Sequence, residues 1–163
     1  MKTRKLTAMA LMTGAALMIH YVESLLPALV PVPGVKPGLA NIVTLLALYM
    51  FAPRDALLIV AARLILGAFV GGSFSALLYA AAGSAVSLAV MLPLSRVLPP
   101  RYMYLASILG AAGHNLGQIA VAVAVTRTAS LVVYLPVLTL SGCIAGAFTG
   151  FCASFAYLRL IKK

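Results

Sequence analysis

The sequence predicts an all-α integral membrane protein of about six transmembrane helices, a single domain over residues 1–163 with both termini in the cytoplasm. Three observations predict it. Of the 163 residues, 64% are hydrophobic and 9% charged, whereas a soluble domain carries roughly 25% charged residues. The apolar residues run in long blocks parted by short Pro, Gly or Arg breaks, with no polar stripe at the 3.6-residue helical period. The formal net charge of +10 sits almost entirely at block ends, which is the signature of membrane topology and not of a phosphate-binding face. No nucleic-acid partner is expected.

A helix needs about 20 apolar residues to cross the hydrocarbon core. The first such block predicts helix one at 6–26. The basic run Lys2 to Lys5 ahead of it has the look of a signal peptide, but every later block is equally apolar and no small-residue cleavage site follows, so the helix is read as retained. The segment 27–37, PALVPVPGVKP, holds four prolines and one glycine; it is stiff and non-helical, as suits a lid over an external cavity or an ordinary connector. Helix two is placed at 39–52, short for a span. Helices three, four and five follow at 55–70, 74–95 and 103–126. Helix six, at 132–160, is long enough to tilt or to begin with an interfacial turn near Pro136. Gly142, Gly146 and Gly150 form a GxxxGxxxG ridge and Gly113 and Gly117 a shorter one, both close-approach faces. Cys143 and Cys152 read as small packing residues.

Counting basic residues by side gives the orientation. Lys2, Arg4, Lys5, Arg54, Arg96, Arg101, Arg159, Lys162 and Lys163 fall on one side, and Lys36 and Arg127 on the other. The first side is inside. Arg63 lies within helix three and belongs to neither.

Strongly polar groups inside lipid are costly, roughly 2.5–3.5 kcal/mol for a central Arg on insertion scales, so each must face protein or water. They are few: His20 and Glu23 on helix one, Asn41 on helix two, Arg63 on helix three, and His114, Asn115 and Gln118 on helix five. His20 and Glu23 are three apart and His114 and Gln118 four apart, so each pair shares a helix face. These residues, with Lys36 at the external loop, are the candidate substrate-binding set. The bland alternative is a structural Glu23–Arg63 ion pair with amides bridging helices. Lys36, Arg63, Arg127 and the histidines outweigh Glu23 on the external half, which favours an anionic or neutral ligand. The absence of Trp argues against a large aromatic cage.

The acidic inventory excludes several chemistries. Glu23 and Asp55 are the only carboxylates, and a magnesium-dependent phosphoryl or prenyl transferase needs a cluster of them. No GxxxxGK[ST] loop is present, so ATP is not hydrolysed through a Walker motif. No catalytic residue, metal ligand or cofactor is expected, and energy for transport must come from a partner or an ion gradient.

Five segments carry a family pattern: Glu23-Ser24 before the Pro-rich loop, KPGLANIVTLLALY from Lys36, ARLILGAFVGG from Ala62, LGAAGHNLGQ from Leu109, and YLP followed by SGCIAGAFTG. Together they resemble the family catalogued as heptaprenyl diphosphate synthase component I, also called the Gx transporter family. That family is similar to the substrate-binding S-components of energy-coupling factor transporters. The resemblance implies a six-helix bundle in the cell membrane that binds a small molecule near its outer surface, with a transmembrane coupling subunit and cytoplasmic ATPases as partners. It also implies that a small-residue face on helix one meets the coupling subunit; Ala10 and Gly14 are the nearest counterparts here. An accessory role in isoprenoid or quinone synthesis and proton-coupled transport through Glu23 are the competing expectations.

Overall fold

The computed structural model describes residues 2–25, 39–71 and 74–161. Among them the chain is helical with no strand. The α-helices are α1 Lys2–Leu25, α2 Asn41–Met50, α3 Pro53–Gly71, α4 Phe74–Val97, α5 Met103–Thr126 and α6 Leu135–Ile161. Short 3-10 turns at Pro100–Tyr102 and Ala129–Tyr134 lead into α5 and α6. The second of these is the turn expected near Pro136, which itself sits in the first turn of α6, where its missing N–H has no intrahelical acceptor to lose. The Pro-rich segment 27–37, Lys36 included, lies outside the described residues.

Among the described residues six α-helices are therefore present where the sequence places them, and four of them, α1, α4, α5 and α6, are long and apolar enough to cross a membrane. The other two fall short for different reasons. α3 has 19 residues but carries Arg54, Asp55 and Arg63. α2 has 10 residues, about 15 Å of helix against a hydrocarbon core of about 30 Å. Most of α2 is buried, including Asn41, Val43, Thr44, Leu45, Ala47 and Leu48, so it is an interior element, and lipid does not dictate its length.

The bundle is organised around α5, which packs most extensively against α4 on one side and α6 on the other. Glycines make both approaches possible. A Cβ on Gly146 would stand 2.9 Å from the Ser107 carbonyl oxygen, and one on Gly150 would collide with the Tyr104 Cα. Gly113 and Gly117 face α4, and a Cβ on Gly117 would stand 2.7 Å from the Ala82 carbonyl oxygen. The two ridges seen in the sequence are thus helix-packing faces. Ser107 and Thr149 hydroxyls share a buried hydrogen bond of 3.0 Å across the α5–α6 seam.

Four contacts fix the two ends. Lys5 Nζ meets Asp55 Oδ2 at 2.7 Å, joining the starts of α1 and α3. Tyr49 donates to the Leu98 carbonyl and Ser154 to the Pro100 carbonyl, so the ends of α2, α4 and α6 and the start of α5 share that level. Arg4, Lys5, Arg54, Arg96, Arg101 and Arg159 all lie on elements ending there and are exposed. At the far end, the Leu39 N–H donates to Glu23 Oε1 at 3.1 Å, bringing the top of α1 to the start of α2. A core of Leu45, Ile59, Met91, Met103 and Ala106 fills the basic end, whereas Leu11, Met18, Phe69, Ile144, Phe148 and Phe155 are exposed on the outside. A continuous apolar exterior of this kind is the surface of a protein solvated by lipid.

Candidate binding cavity

Between the upper halves of α1, α3, α4 and α5 lies a cavity of ≈ 390 Å³. Its polar lining includes His20, Glu23, Asn41, Arg63, His114 and Gln118, with Tyr21 and Ser24 beside them on α1. Helical period explains the grouping: His20 and Glu23 present one face of α1, and His114 and Gln118 one face of α5. Leu64, Ala68, Leu77 and Ala80 supply the apolar wall from α3 and α4.

Two glycines let these side chains reach the cavity. A Cβ on Gly67 would stand 3.2 Å from His20 Cδ2, and one on Gly83 would stand 2.9 Å from both His114 Cε1 and Gln118 Cγ. Neither position stood out in the sequence as part of the site. The signal was present in a weak form, since glycine inside an apolar helix marks a close neighbour, but sequence alone does not say whether that neighbour is backbone or a functional side chain.

The polar groups are deeply buried: Glu23 is 3% exposed, Asn41 5%, Arg63 6%, His114 5% and Gln118 1%. Arg63 Nη2 donates to Ser84 Oγ on α4 at 3.1 Å, and Ser84 is a site neighbour that the sequence reading missed because serine is tolerated anywhere in an apolar helix. Among the described residues Arg63 Nε and Asn41 Nδ2 have no hydrogen-bond partner. Among the described residues Arg63 makes no ion pair, so the structural Glu23–Arg63 pair is not what holds it; the Glu23 charge acts on it through space. Buried donors left unbonded in an apolar surround are costly. Here the side chains that carry them line a cavity.

One candidate belongs elsewhere. Asn115 is 1% exposed, but one residue on from His114 it is rotated by about 100° around α5. Its Nδ2 donates to the Leu138 carbonyl of α6 at 2.6 Å, beneath Gly142, where a Cβ would collide with it. Asn115 is a seam residue. Asn115→Ala is therefore expected to lower the unfolding midpoint by an amount equivalent to about 0.6–1.7 kcal/mol, the range for one interhelical hydrogen bond in a membrane bundle, and to leave cavity occupancy unchanged. Loss of occupancy at unchanged stability would return it to the site. Ala10 and Gly14 lie away from the cavity on the exposed face of α1, and a Cβ at Gly14 would meet nothing within 4 Å. Lys36 lies outside the described residues.

The arrangement can hold a small molecule by hydrogen bonds and charge. Asp55 and Glu23 stand at opposite ends of the bundle. Residues 12–156 match the family model described as heptaprenyl diphosphate synthase component I. No curated protein and no solved structure matches the chain.

Proposed function

The chain belongs to the heptaprenyl diphosphate synthase component I family, and from that premise we propose that it is the substrate-binding subunit of an energy-coupling-factor type importer, capturing a small anionic or neutral metabolite from outside the cell. The observation that carries this reading is the cavity itself: five deeply buried polar side chains from four helices converge on ≈ 390 Å³ of space. That volume lies within the roughly 300–1,000 Å³ of small-molecule sites. Intramembrane ionisable groups are functional by default because their burial is so unfavourable.

The two ends support an orientation with both termini inside. The exposed arginines and Lys5 mark one end of the bundle, and the positive-inside rule assigns it to the cytoplasm. The cavity, formed by Glu23 near the end of α1 and Asn41 at the start of α2, then opens outward. Six passes with both termini inside are consistent with α2. Leu39 stands level with Glu23 and Asp55 with Lys5, so the 16 residues between Leu39 and Asp55 cover a height close to the 18 of α1, about 24 against 27 Å if helical.

The family's name favours a second reading, a non-catalytic membrane component attached to prenyl diphosphate synthesis. Native mass spectrometry of the gently purified chain separates the two. The expected result is a retained small molecule, lost in Gln118→Ala and in the cavity-filling Ala80→Phe, both still folded. Retention of a soluble synthase and of no small molecule would favour the second reading and sink the first.

A further inference from the structure

We infer that the molecule held in this cavity carries a carboxylate, bound by Arg63 and Asn41, with an uncharged apolar body against the α3–α4 wall. The inference rests on reading the cavity as a solute site and adds the chemistry of the solute. Arg63 is 6% exposed and its Nη2 is anchored to a neutral hydroxyl, Ser84 Oγ. Among the described residues its Nε has no hydrogen-bond partner and no carboxylate lies within ion-pair distance of it. A guanidinium removed from water, with the Glu23 charge acting only from beyond contact distance, is in an unfavourable state. A ligand that brings a negative charge into contact relieves it.

Asn41 adds geometry to charge. Its Nδ2 is a second buried donor without a partner among the described residues, on a side chain that lines the same cavity. Two donors, one cationic and one neutral, match the two oxygens of a planar carboxylate. A phosphate monoester carries roughly 1.5–2 negative charges at neutral pH, more than one guanidinium balances, and the Glu23 carboxyl on the same cavity, which opposes any anion, opposes the larger charge more. An amine is opposed by Arg63 itself. A neutral amide satisfies the donors but brings no charge to Arg63.

Leu17, Leu64, Ala68, Leu77 and Ala80 give the lining a continuous apolar part, against which an apolar ligand body would rest. An engineered cavity of about 150 Å³ holds a benzene ring. The ≈ 390 Å³ here admits a ring or a branched chain together with its acid group.

A matched series around one ring tests this on the purified full-length protein: benzoate, benzamide, benzylamine and phenyl phosphate, read by the shift of the thermal unfolding midpoint, with native mass spectrometry for anything retained from the cell. Benzoate is expected to stabilise and the other three to do so far less. Its apparent affinity should fall at least ~10-fold in Arg63→Gln, and by a similar factor in Asn41→Asp, which keeps the shape of the side chain but sets an anion against the carboxylate. Should Arg63→Gln fail to fold, Asn41→Asp carries the test. Equal stabilisation by benzamide, benzylamine or phenyl phosphate, a retained molecule with no acid group, or a benzoate effect that persists in both variants would overturn the carboxylate. In each of these cases loss of the effect in Ala80→Phe keeps the solute-site reading intact. No response to any of the four, with nothing retained, would overturn both.

Discussion

Gly117→Ala is expected to loosen the α4–α5 packing and lower stability by about 1–3 kcal/mol, the ordinary cost of overpacking, while Gly83→Ala is expected to spare the fold and empty the cavity. The two positions differ in what a methyl group would meet. At Gly117 the nearest atoms are main chain, the Ala82 carbonyl oxygen at 2.7 Å and the Gly83 Cα at 3.0 Å, and helix backbone cannot step aside without separating the two helices. At Gly83 the nearest atoms are the side chains of Gln118 and His114, each at 2.9 Å, which, unlike backbone, can change rotamer toward the cavity they line. That change takes two polar groups out of their places on the cavity wall, about 1–3 kcal/mol for two hydrogen bonds at 0.5–1.5 kcal/mol each, or roughly 5–150-fold in ligand affinity. Gly14→Ala supplies the reference, since nothing lies within 4 Å of its Cβ and a helical Gly→Ala change in open space gains up to about 1 kcal/mol. Thermal midpoints and ligand retention measured on the three variants should separate them. Equal midpoints at Gly117 and Gly14 would refute the close α4–α5 approach.

The helices were legible because lipid imposes a simple demand: long apolar blocks, broken by Pro, Gly and Arg, with backbone hydrogen bonds closed inside each block. The limits of α5 at Met103 and Thr126 follow from such breaks. α2 was recognisable as a short helix, but that it is an interior element was not. Burial by neighbouring helices leaves no mark on an apolar sequence, whose lipid-facing and core-facing residues are drawn from the same amino acids.

The candidate site was legible for a related reason. In so apolar a chain each strongly polar residue stands out, and His20, Glu23, Asn41, Arg63, His114 and Gln118 do line one cavity. What the residue list could not supply was direction. Asn115 adjoins His114 in sequence yet turns to the Leu138 carbonyl, a distinction of one helical step that depends on which neighbour each face of α5 meets. Ser84 was invisible because its importance lies entirely in its partner, Arg63.

ATP-dependent uptake is expected to be absent from liposomes holding this chain alone and present when a transmembrane coupling subunit and its ATPases are added. The chain has no nucleotide-binding loop, and its two carboxylates stand at opposite ends of the bundle, so the purified protein should also show neither ATP hydrolysis nor prenyl transfer. Helix α1 offers the variant that isolates coupling from binding. Ala10 and Gly14 are exposed, so Ala10→Leu or Gly14→Leu disturbs no internal packing. Ala10 stands about 20 Å below Glu23 along the helix, well clear of the cavity. Either substitution should therefore abolish partner-dependent uptake, because close helix contact depends on small residues, while ligand retention by the isolated chain stays at the wild-type level. Uptake that survives both substitutions would place the partner on another face. Uptake driven by a pH gradient with no ATPase present would instead identify a secondary transporter, with Glu23, the one carboxylate on the cavity, as the group to replace first.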